Sequence, residues 1–558
     1  MKSFIKKSLT GILAVATLLS TAACGGGNDP NKDKATLYVY SFTSGFGSQW
    51  LESLIADYEE ANKDVEIDGK KGIHIEPTAE KSDVSGAQMA GKQEVIYFLE
   101  QQDYYELVAN NYIADITAAV TSANPYDGKT LESKMFADQK AYFGREINGE
   151  MHYYAYPHYF TSFGIVYDVE LFDSKGYYFA DGYSAEGALE DMFVGKTDWA
   201  KTAGPDGQKG TSDDGLPTTY DEYLLLCDYI ATVGNDNPLI WSGQYRNSYL
   251  MHFINALAAD YEGREQMRLN FSFDGTATSL GKVENGVFVE DAEDTVINGE
   301  NGAELARQAG KYYALEFYQD LYNKKYINNN DTEKTLYSST YTHLKAQEDF
   351  LKRSTKRNAM LLDGSWWQME ATDIFKMMSK GNEAYSKQNR KLGWMPLPKQ
   401  SAEKVGEKST AYDIMYPLCV MKNGLDENSW QYKYALDFIQ FANSDEQLAK
   451  FTQITGCTKA LNYSLTDTQY DSLSYFGKSF YDNYKASDIV FPYDNNLLFA
   501  NNQITFQELD RGEGSPLYKS KAYATSFVAA IEKGVTLENY FNGMYTFFQE
   551  KDIWKKAK

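Results

Sequence analysis

The chain has 558 residues, 43% of them hydrophobic and 24% charged, with a formal net charge of -24. This composition supplies more than one sizeable core and excludes a disordered chain. The acidity argues against nucleic acid or an anionic lipid surface as a partner.

Residues 1–23 read as a signal peptide: Lys2, Lys6 and Lys7, then an apolar run from Leu9 to Leu19, then Ser20, Thr21, Ala22 and Ala23 before Cys24. The apolar run is too short to span a membrane as a mature helix. Its removal takes away three lysines and no acid, so the mature charge is -27. Small residues before a lone Cys, followed by the Gly/Asn/Asp/Lys-rich residues 24–35, resemble a bacterial lipoprotein lipobox and its flexible tether, with Thr21 in place of the usual aliphatic residue. That resemblance implies lipidation (palmitate) at Cys24, a membrane lipid anchor and a location on the extracellular face of the cell membrane. Cys227, Cys419 and Cys457 remain, with no Cys-x-x-Cys spacing, and three buried thiols are expected.

In chain order, residues 36–40 predict a strand, and residues 41–48 turn into a helix with Trp50, Leu51, Leu54, Ile55 and Tyr58 on one face. Residues 72–77 and 94–99 predict further strands. Strands alternating with helices predict a mainly parallel α/β sheet. In open sheets of this kind ligands sit beyond the strand carboxyl ends, which is where Phe46, Glu100 and Asp103 fall. Residues 151–172 carry eight tyrosines and phenylalanines around Pro157, too many for a surface loop, and predict an extended segment, a Pro-bent crossing and a strand over 163–167. Residues 174–217 read as an insertion, ending in a loop where Asp206, Asp213 and Asp214 are flanked by glycines. This loop fits either a Ca²⁺ site built from carboxylate and backbone oxygens or a solvated turn, and it lacks the spacing and closing Glu of an EF-hand. Residues 217–230 predict a helix capped by Thr. A helix is expected over 251–259, a polar, Gly-rich excursion over 262–302, and a long helix over 303–326.

The segment 151–172 resembles the first inter-lobe crossing of extracellular sugar-binding proteins of ABC importers, the maltose-binding-like family, through Tyr154, Pro157, Tyr167, Leu171 and Phe172, with Asp168 where Asn is usual. The strongest match lies at 344–367: a helix ending in Phe350, a short basic turn, Ala359-Met360 on a strand, then Gly364-Ser365-Trp366. Residues 392–398 and 411–417 resemble the following strand and second crossing, 453–461 the third crossing, and 534–538 the start of the C-terminal helix. The resemblance implies two lobes, each a mainly parallel sheet flanked by helices: residues 36–160 with 412–455, and residues 161–405 with 458–558. It implies capture of an oligosaccharide by hinge closure, delivery to the membrane subunits of an ABC permease, no catalysis and a monomer. A surface enzyme acting on polysaccharide, or a sensor or adhesion lipoprotein of the same fold, is the alternative.

Sugars present apolar C–H faces to aromatic rings and hydroxyls to carboxylates and amides, so a site needs flat rings beside planar polar groups. Trp366 falls at the family's sugar-stacking position and Tyr245 near another, while the adjacent Trp367 would face the other way if the strand continued. Glu100 and Asp103 are candidate hydroxyl acceptors. Asp363, Trp241, Phe46, Tyr159 and Asp413 are further candidates, each with a competing structural role. Enzyme motifs are not found: Gly-Lys-Thr/Ser strings at Gly128, Gly195 and Gly477 lack the upstream Gly of a phosphate loop, and no His-Glu-x-x-His or Gly-x-Ser-x-Gly occurs. Beyond the calcium loop, no cofactor is implied.

Overall fold

Strand β1 (Ala35–Phe42) alternates buried Ala35, Leu37 and Val39 with half-buried Thr36 and Tyr38, then is buried on both faces at Tyr40 and Ser41. That is the pattern of a strand entering the middle of a covered sheet. The computed structural model describes residues 31–43, 45–100, 103–197, 199–327, 335–497 and 527–551. The leader and Cys24 lie outside the described residues.

Helix α1 (Gln49–Ala61) buries Trp50, Leu51, Leu54, Ile55 and Tyr58, the face read from the sequence. Strands β2 (Ile73–Glu80) and β3 (Ile96–Leu99) flank β1 in parallel, while β4 (Ala155–Pro157) lies at the edge of the same sheet. Strands β5 (Phe163–Asp168), β6 (Asn237–Trp241), β7 (Asn358–Gly364) and β8 (Leu392–Met395) build a second sheet, and β9 (Leu418–Met421) returns to the first. The first sheet runs β2-β1-β3-β9-β4 and the second β6-β7-β5-β8. Each sheet is mainly parallel in direction with a single reversed strand: β9 is antiparallel to β3 and β4, and β5 is antiparallel to β7 and β8. The reversed strands are those next to the inter-lobe crossings, where a chain arriving from the other lobe runs against the strands already there.

Thr219 caps the helix Tyr220–Thr232 by accepting from the Glu222 amide, and the Glu222 carboxylate accepts from the Thr218 amide in return. The helix expected to stop near residue 259 runs over Arg246–Ser272, with Gly263 at φ 75° breaking it in the middle. Its continuation holds because Leu269, Phe273, Ala277, Leu280, Ile297, Ala303 and Leu305 form a second small core. Two short hairpin pairs, Gly275–Ala277 with Thr295–Ile297 and Gly281–Glu284 with Val287–Glu290, occupy the segment read as irregular. The long helix expected over 303–326 is a 3-10 turn, Gly302–Arg307, followed by an α-helix over Ala309–Asn323. All three remaining cysteines are buried free thiols. Among the described residues no helix is long and apolar enough to cross a membrane.

The Asp at position 168 has a structural cause. Its fully buried carboxylate accepts from the Leu171 amide at 3.0 Å, capping the helix Val169–Lys175, and from Arg390 Nη2 at 2.8 Å, with Arg357 on the same oxygen. An Asn would keep the cap but leave Arg390, itself 1% exposed, with only the more distant Glu170 carboxylate at 3.4 Å. Asp168→Asn is expected to cost about 3 kcal/mol of stability, read by urea denaturation, because it removes the nearer carboxylate from a buried cation.

Candidate functional site

Three chain segments pass between the two sheets, and they are hydrogen-bonded to one another. In the first, residues 158–162, the His158 amide donates to the Pro417 carbonyl at 2.9 Å and the Phe160 amide to the Thr458 carbonyl at 3.0 Å. The Ala460 amide donates back to His158, and the Ile414 amide to Thr161. Asp413 is 1% exposed and accepts from both the amide (3.1 Å) and the hydroxyl (2.6 Å) of Thr161. It is therefore a clasp between the first and second crossings and not a ligand group, because its carboxylate is turned into the crossing backbone.

On the first lobe, Phe46 and Tyr159 are each 2% exposed with ring centroids 4.3 Å apart, and the Tyr159 hydroxyl donates to Glu100 Oε1 at 3.1 Å. The Glu100 amide donates to the Asp83 carboxylate at 3.3 Å. Half-buried Asp103 is the N-cap residue of the helix Tyr104–Ala109. Aromatic rings and carboxylates thus meet beyond the carboxyl end of β3.

On the second lobe, β7 ends in Gly364-Ser365-Trp366, and the motif has a steric meaning. A Cβ on Gly364 would lie 2.3 Å from the Trp366 ring, so only Gly lets the indole fold over the strand end. Across the cleft, a Cβ on Gly45 would lie 2.7 Å from Trp366 Cγ, and Gly45 has φ +60°. Trp366, 7% exposed, is therefore a point where the lobes touch across the cleft. Tyr245 is 41% exposed, stacked on Tyr249 at 5.7 Å and 5.5 Å from the His343 ring, and offers an open aromatic face.

Below these rings lies an acid pair. Gln347 Nε2 donates to Asp363 Oδ2 at 3.1 Å and to Glu370 Oε2 at 2.7 Å, and His343 Nε2 lies 3.4 Å from Glu370 Oε1. Burial first, and then the Glu370 charge, hold the Asp363 carboxyl well above the usual carboxylate range. Burial also raises Glu370, opposed by His343 and by Lys81 of the first lobe. Asp363 is 1% exposed and acts from behind Glu370.

Two expected ligand residues belong to the core. Trp367 is fully buried against Phe350, Phe375 and Phe476, because the chain turns into the short helix Trp367–Glu370 and drives the second indole inward. Trp241 is also fully buried, its indole N–H donating to the Leu336 carbonyl at 3.1 Å. Sequence reasoning missed Glu370, Gln347, His343 and Tyr249. They sit on helices, and only the fold brings those helices beside the end of β7.

In the Asp206 to Gly215 loop the carboxylates serve hydrogen-bond donors of the loop. Asp206 accepts from the Gln208 amide (2.7 Å), Asp214 from the Gly210 amide (2.8 Å), and Asp213 from the Asp206 amide (3.0 Å) and the Thr211 hydroxyl (2.7 Å). Among the described residues no group of three or more His, Cys, Asp or Glu is arranged to hold a metal ion.

No protein-family model matches the chain, and no curated protein matches it. Among solved structures, a chitin oligosaccharide binding protein aligns over 93% of this chain and 99% of its own, with TM-score 0.54 and 15% identity. The GacH receptor of Streptomyces glaucescens, solved unliganded and with acarbose, aligns over 94% and 100%, with TM-score 0.52 and 12% identity. The SBP RafE, in complex with raffinose, gives 94% and 100%, 0.51 and 13%. The fold is that of the two-lobed solute-binding proteins. These alignments cover nearly the whole of this chain.

Two outcomes follow from these contacts. The raised Asp363 carboxyl means the folded state favours the protonated acid, so its stability is present below the ordinary carboxylate range and is lost as pH rises through the shifted value. Asp363→Asn is therefore expected to raise the melting temperature more at pH 7 than at pH 4. EDTA is expected to leave the melting temperature unchanged, and a fall reversed by Ca²⁺ would show the 206–215 carboxylates regrouping around an ion.

Proposed function

We propose that the protein is an extracellular carbohydrate-binding component of an ABC importer. It captures an oligosaccharide between its lobes and presents the closed form to a membrane permease. The observation that carries this reading is the meeting of Trp366 with Gly45 at the mouth of a cleft spanned by three crossings, with Tyr245 on one side and Glu100 on the other. A ligand entering there would separate Trp366 from Gly45 and take the indole face for a sugar ring, while carboxylates on both lobes accept its hydroxyls. The reading is supported by the fold shared with a chitin oligosaccharide binding protein and with receptors solved with acarbose and raffinose. Opening and closing about the crossings makes and breaks no bond of the solute. In this reading Cys24 carries the lipid anchor, which keeps a monomer at the outer face of the membrane within reach of the permease.

A thermal-shift screen of residues 28–558 against mono- and oligosaccharides tests it. A ligand at a hundred times its dissociation constant stabilises by about 2.7 kcal/mol. One glycan class is expected to raise the melting temperature and to be recovered unaltered by chromatography, whereas cleavage products would establish an enzyme. Trp366→Ala is expected to weaken that ligand at least about tenfold, about 1.4 kcal/mol, by removing a stacking face; unchanged affinity would move the site elsewhere.

A further inference from the structure

Two basic side chains meet between the first and third crossings without an acid. Lys459 Nζ lies 2.6 Å from His158 Nδ1, and the residues are 5% and 1% exposed. The ammonium faces the rings of Phe451 at 4.3 Å and Trp50 at 4.7 Å, and the imidazole packs on Trp50, Phe98 and Tyr159 at 4.6–4.8 Å. His158 Nε2 is buried with no hydrogen-bond partner.

The titratable and charged groups on the packed elements do not supply a counter-ion. Cys419 on β9 has a thiol pushed up to about 12 by burial. Lys450, on the helix Asp445–Thr455, is paired with Asp57. The Tyr463 hydroxyl accepts from the Lys459 amide at 3.2 Å and also bonds Thr452. Glu100, on the cleft side, receives the Tyr159 hydroxyl. Among the described residues, neither Lys459 nor His158 has a carboxylate within ion-pairing distance.

A contact this short needs one nitrogen to accept, so it holds with both groups neutral or with one charged, and fails when both carry a proton. Cation–π contacts and a lone imidazole acceptor are the whole compensation for charge in a dry site. Tyr159, next to His158, packs on Phe46, and the loop carrying Gly45 and Phe46 meets Trp366 across the cleft. The pair thus lies one aromatic layer beneath the contact between the lobes.

We propose that Lys459 and His158 form a proton-operated latch of the hinge, which ties the first crossing to the third and loosens the closed arrangement of the lobes when protons are taken up. It rests on the crossings acting as a hinge and not on what the cleft binds. Burial lowers Lys459 to about 7 and His158 well below its usual value. A solvated lysine takes its proton near 10.5, so the charging penalty on the latched state grows as pH falls from there to about 7, and the histidine adds to it below about 6.5.

Small-angle X-ray scattering of residues 28–558 without ligand, at pH 9, 7 and 5, tests the latch. The radius of gyration is expected to rise as pH falls, with far-UV circular dichroism unchanged. Lys459→Met, which fits the aromatic box without a charge, is expected to abolish the rise. Its melting temperature should exceed that of the parent by more at pH 7 than at pH 10. His158→Gln and Lys459→Gln, which keep polar atoms at these positions, provide the same comparison should the Met variant not fold. A parent radius that is constant across this range, or a rise that persists in these variants, would overturn the proposal. Because no ligand is present, failure to find a sugar leaves this result independent.

Discussion

The structure depends on the mutual hydrogen bonding of three chain crossings. Each passes from one lobe to the other, and each would strand its backbone groups between two cores if it passed alone. They satisfy one another instead: His158 with Pro417 and Ala460, Phe160 with Thr458, and Thr161 with Ile414 and Asp413. The result is a narrow, fully bonded bridge between two lobes with separate sheets. A rigid-body closure about the ends of this bridge would also have to carry or break the contacts of Arg264 with Asp138 and of Tyr142 with Tyr493. The one reversed strand in each sheet, β9 in the first and β5 in the second, is the strand that leaves this bridge.

The cleft beside that bridge is shaped by what is missing from two glycines. Gly364 lets the Trp366 indole fold back over the end of β7, and Gly45 lets a first-lobe loop reach it from the other side. An aromatic surface positioned in this way is prepared for a flat apolar face at little conformational cost. The polar half is prepared differently. Gln347 holds Asp363 and Glu370 with one amide, and Tyr159 holds Glu100, so the acceptors a ligand would meet already have fixed directions.

Charge is handled in opposite ways at three buried places. At Asp168 one carboxylate serves two guanidinium groups and a helix amide, an arrangement that keeps every member paired. At Asp363 and Glu370 two acids lie together, and burial and mutual repulsion favour the protonated form. At Lys459 and His158 two bases lie together, and the same physics favours the deprotonated form. The first anchors the second lobe, while the other two sit where the lobes meet.

Much of this was legible in the residues. The aromatic run around Pro157, the helix face of α1, the Thr219 cap and the order Phe350, Ala359-Met360, Gly364-x-Trp366 are local patterns, set by backbone sterics and side-chain periodicity over a few residues. They were enough to place the two-lobed α/β architecture. The sequence did not separate Trp366 from Trp367, because the chain leaves the strand between them, and a helical turn sends the second indole into the core. Nor did it separate Asp413 or Trp241 from true cleft residues, since a carboxylate or an indole has the same composition whether it faces a ligand or a neighbouring backbone. Glu370, Gln347, His343 and Lys459 were decided by tertiary structure alone. Their significance lies in distances of 2.6–3.4 Å to partners on other elements, and such distances exist only once the elements have packed.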